Sequence, residues 1–457
     1  MISQATYFSF DSYHIGEDKR TLSFLYSVGF NTGIISRFVD KIVLPEAIPP
    51  AVSPHLLDAI LHPLHLILGV SYWKLYCPKE MKVNSCKLNA EQAAFWNTVY
   101  TRGLGEFFYR NELDFRGLIS FPVSQDAFSN PIHFSPLNRS LVGIAGGKDS
   151  LVTVELLKKA KKEITGLIIE ANHEYALIRE LMPKTDIKGL FVRHEIDGKV
   201  KELNETGLIY NGHIPISAVY AFVGVLIAIV YDYEYFIVSN EKSANFGNAI
   251  YHGLEVNHQW SKSEEFEMFF RTYVNDFVTP DVTYFSLLRP LTELKIVELF
   301  SKYHVYFPHF SSCNKNFTIF NRSLGKLGMT GGGARWCGKC AKCAFTFLML
   351  STFLSKEEVI GMFGQNLLAD PSLIPLYQQL LGIRDIKPFD CVGTFEEVAI
   401  AFYLVHEKGG FNDDPVVKMF ERLVLPGMKD VSKLKNHVFQ VGDVHTVPDE
   451  FKTILNV

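Results

Sequence analysis

Short apolar segments alternate with helical segments between residues 140 and 238, and this alternation limits the chain to few folds. The predicted strands cover residues 140–144, 164–170, 189–192 and 235–238, and the predicted helices cover residues 150–162, 176–182 and 218–231. Strands that are separated by helices form a parallel sheet with helices on both faces. The sequence therefore predicts an α/β fold with a doubly wound parallel sheet, whose ligands bind beyond the carboxyl ends of the strands.

The remaining sequence divides the chain into four predicted segments. Residues 1–137 hold many aromatic residues in short apolar runs and are interpreted as an N-terminal α+β domain. Residues 138–310 form the domain of the parallel sheet, and residues 311–345 form a four-cysteine metal-binding segment. Residues 346–457 show mostly helical spacing and are interpreted as a C-terminal helical region.

The charge balance argues against a nucleic-acid partner. The chain has 45 Lys and Arg against 49 Asp and Glu, which gives a formal net charge of −4, and no basic block stands out. Nucleic-acid binding surfaces are marked by clustered Lys and Arg. We therefore predict a globular protein without a nucleic-acid partner.

Hydropathy and cysteine usage predict a cytoplasmic protein without a membrane partner. The first eighteen residues lack the basic-then-apolar layout of a signal peptide. The longest apolar run, at residues 218–231, is shorter than the roughly 20 residues that span a membrane, so we expect a buried helix. Seven cysteines without an export signal indicate a reducing compartment, where clustered cysteines bind metal more often than they form disulfides. The sequence does not predict the oligomeric state.

A glycine loop follows the first strand of this α/β segment and has the features of a phosphate-binding loop. It reads Gly146-Gly147-Lys148-Asp149-Ser150 and leads directly into a predicted helix. Glycines let backbone N–H groups approach phosphate oxygens, and the helix N-terminus favours negative charge. Lys148 would neutralise phosphate, Asp149 would hold magnesium, and Ser150 would donate its hydroxyl. The loop predicts an ATP site; a plain glycine turn is the alternative.

The loop resembles the Ser-Gly-Gly-x-Asp-Ser signature of the PP-loop ATP pyrophosphatases, also called adenine nucleotide alpha hydrolase-like proteins. Ala145 replaces the first serine of that signature, so one hydrogen-bond donor to the phosphates is missing. The resemblance implies a PP-loop fold for residues 138–310, with cleavage of ATP to AMP and pyrophosphate. It further implies nucleotide contacts along residues 145–150 and at Ser239 and Asn240. Residues 288–295 and 211–215 resemble further PP-loop segments. Taken alone, the first is better explained as a proline-started amphipathic helix, and ordinary N-terminal capping explains the second equally well.

Four cysteines predict a metal site. Cys337, Cys340 and Cys343 are spaced at intervals of three, and Cys313 lies earlier in the chain. Four thiolates form a closed tetrahedral site that usually holds structural zinc. An iron–sulfur cluster also takes four cysteines, and buried cysteines on a helix face are a third interpretation. The arrangement resembles the 7-cyano-7-deazaguanine synthases, whose first spacing is shorter.

A dense polar block at residues 239–267 begins where the fourth predicted strand ends. Together with the glycine loop, the cysteines and residues 389–393, this block resembles the UDP-N-acetylmuramoyl-L-alanyl-L-glutamate epimerases of bacterial cell-wall synthesis. The resemblance covers most of the chain and is clearest at residues 140–395. It implies an isomerase that uses ATP and magnesium to invert the terminal L-glutamate of a UDP-muramoyl-dipeptide.

ATP has a chemical purpose in such an inversion. The α-proton beside a carboxylate is very weakly acidic, because its removal places a second negative charge next to the first. An acyl-adenylate removes the first charge, so that a base takes the proton and an acid returns it to the other face. The candidates for proton transfer are Glu255, His258, Lys262 and Cys391, and the sequence does not choose among them.

Two other functions stay open at this stage. The chain could be another PP-loop enzyme, such as a ligase similar to the 7-cyano-7-deazaguanine synthases. It could also be a nucleotide-binding module without catalysis, which Ala145 would favour.

Overall fold

The computed structural model describes residues 4–127, 130–316 and 335–456. Its strands are β1 (Ala5–Ile15), β2 (Thr21–Phe30), β3 (Ile35–Val43), β4 (Glu80–Val83), β5 (Leu137–Gly143), β6 (Ile164–Ala171), β7 (Gly189–Glu195), β8 (Tyr233–Val238), β9 (Ala249–Tyr251), β10 (Leu254–Val256) and β11 (Thr283–Ser286). The helices of the first half are α1 (Pro54–Leu68), α2 (Val70–Trp73), α3 (Ala90–Gly103), α4 (Gly105–Arg110), α5 (Lys148–Lys159), α6 (Ala176–Thr185), α7 (Lys199–Thr206) and α8 (Ile216–Tyr231). The later helices are α9 (Glu264–Phe277), α10 (Glu293–Phe300), α11 (Ala341–Ser351), α12 (Lys356–Phe363), α13 (Ile374–Leu380), α14 (Phe395–Lys408), α15 (Pro415–Leu423), α16 (Val431–Phe439) and α17 (Asp449–Lys452).

Nine strands form one sheet in the order β11-β8-β5-β6-β7-β3-β2-β1-β4. The five strands from β11 to β7 are parallel, whereas β3, β2 and β1 pair antiparallel and β4 lies parallel to β1. The α/β class with a mostly parallel central sheet is therefore confirmed, although the sheet is mixed. A PP-loop fold stays a prediction.

The strand order reverses between β5 and β8, where a ligand crevice is expected. From β5 the chain builds outward through β6 and β7, then returns to the opposite side of β5 with β8 and β11. Ligands of open α/β sheets bind where the strand order reverses in this way, outside the carboxyl ends of the strands. The glycine loop follows β5 and the polar block follows β8, so both lie at this crevice.

The N-terminal strands extend the same sheet. Residues Lys41 to Val43 of β3 pair with Arg193 to Glu195 of β7, and α1 packs against α8. The sheet thus runs continuously across the expected boundary between residues 137 and 138. The division into four segments stays a prediction.

Two apolar helices lie inside the protein. Helix α8, which contains the longest apolar run, is buried along nearly its whole length, as predicted. The stretch Pro54–Trp73 is also long and apolar enough to cross a membrane by length and composition, but 83% of its apolar window is buried inside the protein.

Two hydrophobic cores cover the two faces of the sheet. One joins β1, β2, α1, α3 and α8, and the other joins α5, α10 and the helices after residue 340. Helix α10 contacts α5, α11, α14 and α16, so it connects the parallel sheet to the C-terminal helices. This packing brings residues 387–397 to the crevice beside β8.

Candidate functional site

The glycine loop forms a tight turn between β5 and α5. Gly146 has a φ of 80°, a left-handed conformation that glycine adopts without steric cost. Gly147 is the N-cap of α5, and a Cβ there would lie 3.2 Å from the Ser312 hydroxyl oxygen. The Ser311 amide donates to the Gly146 carbonyl at 3.1 Å. The segment just before Cys313 therefore holds the loop in place.

Lys148 is buried beneath the loop among carboxylates. Its Nζ lies 2.6 Å from Asp149 Oδ1 and 2.5 Å from Glu293 Oε2. Burial alone would lower the pKa of Lys148, but the two carboxylates raise it above its usual range, so the ammonium stays charged.

Asp149, Glu241 and Glu293 form a carboxylate cluster at the carboxyl ends of three adjacent strands, β5, β8 and β11. One oxygen of each lies within 4.8 Å of the others, a spacing that fits a divalent cation. Burial and the neighbouring carboxylates raise the pKa of Glu293. The sequence predicted only Asp149 as a magnesium ligand; Glu241 was part of the polar block without an assigned role, and Glu293 follows the short strand β11, which was not predicted.

The other predicted nucleotide contacts lie around this cluster. Ala145 is exposed at the start of the turn, and the Ser150 hydroxyl donates to the Gly147 carbonyl at 3.0 Å. Ser239 Oγ lies 2.8 Å from Thr153 Oγ1 of α5, and Asn240 is buried at the end of β8. The hydroxyls of Ser150 and Ser239 thus help to fix the loop and its helix.

Three of the four candidates for proton transfer lie together. Lys262 Nζ is 3.4 Å from Cys391 Sγ, and His258 also forms a hydrogen bond with Cys391. His258 Nδ1 is 2.5 Å from Glu106 Oε2, which leaves Nε2 for the sulfur. The result is a Glu106–His258–Cys391 chain, and Lys262 is a second hydrogen-bond partner of the thiol.

The electrostatics of this cluster favour a thiolate. Burial would raise the pKa of Cys391, but Lys262, Lys342 and His258 lower it to about 6. Burial would lower the pKa of His258, but its hydrogen bonds to Cys391 and Glu106 raise it to about 9. The thiolate in turn raises the pKa of Lys262. At neutral pH the group is a thiolate between two cations.

Glu255, the fourth candidate, lies in β10 and lines a different cleft with Asn245, Trp260 and Glu264. Glu106 was not predicted from the sequence, and His213 was included only in the segment 211–215 that resembles PP-loop proteins. The His213 and His258 ring centroids are 4.4 Å apart, and burial together with His258 lowers the pKa of His213 to about 3. Glu106 lies in α4, far away in the sequence, so no local pattern indicated it.

Arg289 connects the carboxylate cluster to the thiolate cluster. It donates to the Glu241 carbonyl at 2.9 Å and to the Lys262 carbonyl at 2.6 Å. A buried ion pair with Glu267, at 2.8 Å, keeps its guanidinium in place. Arginine suits this task because its planar fork donates in several fixed directions. The two clusters are therefore held in a fixed relation.

The four predicted cysteine ligands converge. The thiols of Cys313, Cys337, Cys340 and Cys343 all lie within 4.8 Å of one another. The Cys337–Cys343 distance is 3.8 Å and the Cys340–Cys343 distance is 3.4 Å. A tetrahedral zinc with Zn–S bonds of about 2.3 Å requires sulfur atoms about 3.8 Å apart. The donor set and its spacing fit such a metal site.

We expect purified protein to contain about one zinc per chain, because four converging thiols form a closed site. Elemental analysis measures the metal, and a visible absorption band would instead indicate an iron–sulfur cluster. Cys340→Ser should lose the metal. Cys86→Ser is the matched control, since Cys86 lies outside the cluster and should keep it. Metal-free wild-type protein with full activity would contradict the site.

Comparison with known proteins gives a consistent result. A sequence model of the MurL N-terminal domain matches residues 1–287, and one of the MurL C-terminal domain matches residues 309–434. A UDP-N-acetyl-alpha-D-muramoyl-L-alanyl-L-glutamate epimerase of Xanthomonas oryzae pv. oryzae is 39% identical, over 84% of this chain and 83% of its own length. Proteins of the same name from a Micromonospora species and from Salinispora tropica are each 34% identical. These matches cover 98% and 90% of this chain and 97% and 87% of the two relatives. The chain therefore belongs to the UDP-N-acetyl-alpha-D-muramoyl-L-alanyl-L-glutamate epimerase family.

Proposed function

We propose that this protein inverts the terminal L-glutamate of UDP-N-acetylmuramoyl-L-alanyl-L-glutamate to D-glutamate through an acyl-adenylate, releasing AMP and pyrophosphate, during synthesis of peptidoglycan precursors. The substrate is that of its named relatives. One observation carries the mechanism. Lys262 bonds to the Cys391 thiolate and also lies within charge range of Glu241 and Asp149, so the thiolate and the carboxylate cluster share one crevice.

The glycine loop and the carboxylate cluster would bind ATP and magnesium. Gly147 is the N-cap of α5, so the backbone N–H groups of the first helical turn would be available to phosphate oxygens. Lys148 supplies a fixed positive charge. The carboxylates of Asp149, Glu241 and Glu293 fit magnesium, which would neutralise the triphosphate. A carboxylate oxygen of the substrate then attacks the α-phosphorus, and the bond to the leaving pyrophosphate breaks.

Cys391 and Lys262 would exchange the α-proton. The thiolate takes the proton from the activated glutamate, and the electron pair moves onto the acyl oxygen as an enolate. Lys262 returns a proton to the opposite face of the α-carbon. The bound substrate would lie between Lys262 Nζ and Cys391 Sγ, which are 3.4 Å apart without it. Glu106 orients His258, which keeps Cys391 ionised. Water then cleaves the acyl–phosphate linkage and releases AMP.

Exchange of the α-proton with solvent is expected to rise with pH through about 6. Below that pH the Cys391 thiol keeps its proton and cannot act as a base, whereas above it the thiolate predominates. Groups facing the sulfur are Lys262, Lys342 and His258, and Glu106 faces His258. His258→Gln removes one of the cations that lower the Cys391 pKa, so the exchange rate of this variant should rise at a higher pH. Deuterium incorporation measured from pH 5 to 9 checks both curves, and an unshifted variant curve would contradict the role of His258.

Transfer of carboxylate oxygen to AMP tests the acyl-adenylate. Substrate labelled with ¹⁸O in the terminal α-carboxylate is incubated with ATP and magnesium. Hydrolysis at the acyl carbon leaves one labelled oxygen on the phosphate of AMP, which mass spectrometry detects. Unlabelled AMP formed together with D-glutamate would contradict an acyl-adenylate that is hydrolysed at its acyl carbon. That result would reject the proposed route.

A further inference from the structure

Lys387 is a buried ammonium for which the mechanism above has no use. Its side chain is only 2% exposed, and no described residue accepts a hydrogen bond from Nζ. The Phe246 ring offers a cation–π contact, with its centroid 4.7 Å from Nζ. Burial lowers the pKa of Lys387 to about 8, although nearby anionic groups favour its charge. A buried charge without an acceptor is unfavourable unless a ligand supplies one.

Three of the four anionic groups that interact with Lys387 already have hydrogen-bond partners. Glu397, Glu241, Cys391 and Glu293 all lie within charge range of its Nζ. Glu397 accepts hydrogen bonds from the backbone amides of Glu293 and Thr394, both at 2.6 Å. Glu293 is bonded to Lys148, and Cys391 to Lys262 and His258. Lys387 is therefore held near acceptors without binding them, unlike Lys148.

We propose that Lys387 Nζ binds an oxygen of the substrate's reacting carboxyl group and holds the negative charge that develops on it when the α-proton leaves. This assignment rests on the proposed function. The acyl carbon must lie between the α-phosphorus, near Asp149 and Glu241, and the α-carbon, near Cys391. Lys387 interacts electrostatically with both Glu241 and Cys391, and its buried Nζ has no acceptor among the described residues, so its ammonium is free to bind an oxygen between them.

The step balances without a further reactant. Cys391 sulfur forms a bond to the α-proton, and the Cα–H electron pair forms a carbon–carbon double bond to the acyl carbon. The acyl π pair moves onto oxygen, where Lys387 stabilises it by a charge-assisted hydrogen bond. Reprotonation of the α-carbon restores the carbonyl group.

Lys387→Met and Lys387→Arg test the assignment on the full-length protein. The informative quantity is the ratio of α-deuterium incorporation to pyrophosphate release, both measured with the UDP-muramoyl-dipeptide and ATP. We expect the methionine variant to lower this ratio about 100-fold, which is typical for loss of one oxyanion donor. The arginine variant keeps the charge and should recover part of the ratio. Lys408→Met is the matched control, because Lys408 binds backbone carbonyls at the end of α11 and should keep the wild-type ratio.

Thermal unfolding separates a functional from a structural lysine. Lys387→Met should unfold at or above the wild-type temperature, because it removes a buried charge for which the described residues provide no acceptor. A lower unfolding temperature with an equal loss of both activities would overturn the proposal, as would an unchanged ratio. If wild-type protein releases no substrate-dependent pyrophosphate, the proposed function itself fails. An unchanged ratio in an active variant rejects the role of Lys387 alone.

Discussion

Asp149→Asn is expected to lower substrate-dependent pyrophosphate release by about 1,000-fold at saturating ATP, the upper range for loss of one preorganised electrostatic contact. The change removes the charge of one member of the carboxylate cluster, whose three oxygens lie within 4.8 Å of one another. It also removes the charge that Lys148 meets at 2.6 Å. The first effect would weaken the binding of magnesium, and the second would displace the Lys148 ammonium.

The fold should survive this substitution. Asp149 is partly exposed in the first turn of α5, where losing a carboxylate costs about 0.3–1 kcal/mol of helix-dipole stabilisation. Asp413→Asn is the control, because Asp413 is fully exposed and far from the loop in sequence. Colorimetric pyrophosphate assays at several magnesium concentrations provide the measurement. Wild-type release by a folded Asp149→Asn protein would reject the metal-binding role.

Cys391→Ser is expected to separate the two half-reactions. Loss of general acid–base catalysis lowers rates by about 100- to 10,000-fold, so α-proton exchange and D-glutamate formation should nearly disappear. A serine hydroxyl does not ionise near neutral pH, and the cations that lower the Cys391 pKa to about 6 cannot replace a thiolate. The carboxylate cluster is unchanged, so pyrophosphate release should persist.

Cys77→Ser is the matched control for this prediction. Burial raises the pKa of Cys77, and its thiol donates to the Lys74 carbonyl in the N-terminal part of the chain. The control should keep both half-reactions. If Cys391→Ser still incorporated solvent deuterium at the wild-type rate, another group would be the base, and Lys262 would be the first to examine.

The sequence indicated which loops lie at the candidate site better than it indicated which side chains form it. Strand-then-helix alternation indicated a parallel sheet, and the loops after β5 and β8 were therefore expected at one edge. The structure has them at the point where the strand order reverses. Glu293 was missed as a possible ligand because β11 has only four residues, too few for a clear periodic signal.

Contacts between distant parts of the chain explain the other omissions. Glu106 Oε2 lies 2.5 Å from His258 Nδ1, but the two residues are 152 positions apart in the sequence, and strands β5 to β8 lie between them. Pairing of β3 with β7 likewise joins distant segments, and local periodicity did not indicate it. Periodicity reports local structure and does not indicate which distant elements pair. The cysteine cluster was recognisable because three of its four cysteines follow one another at intervals of three residues.

The most direct test of the account is to follow the configuration of the terminal glutamate in deuterated water. The protein is incubated with UDP-N-acetylmuramoyl-L-alanyl-L-glutamate and magnesium, with or without ATP, and the product is hydrolysed and resolved on a chiral column. The proposed mechanism predicts D-glutamate that carries deuterium at its α-carbon, formed only with ATP and accompanied by AMP and pyrophosphate. D-Glutamate formed equally well without ATP, or an unchanged L-glutamate while ATP is consumed, would contradict it.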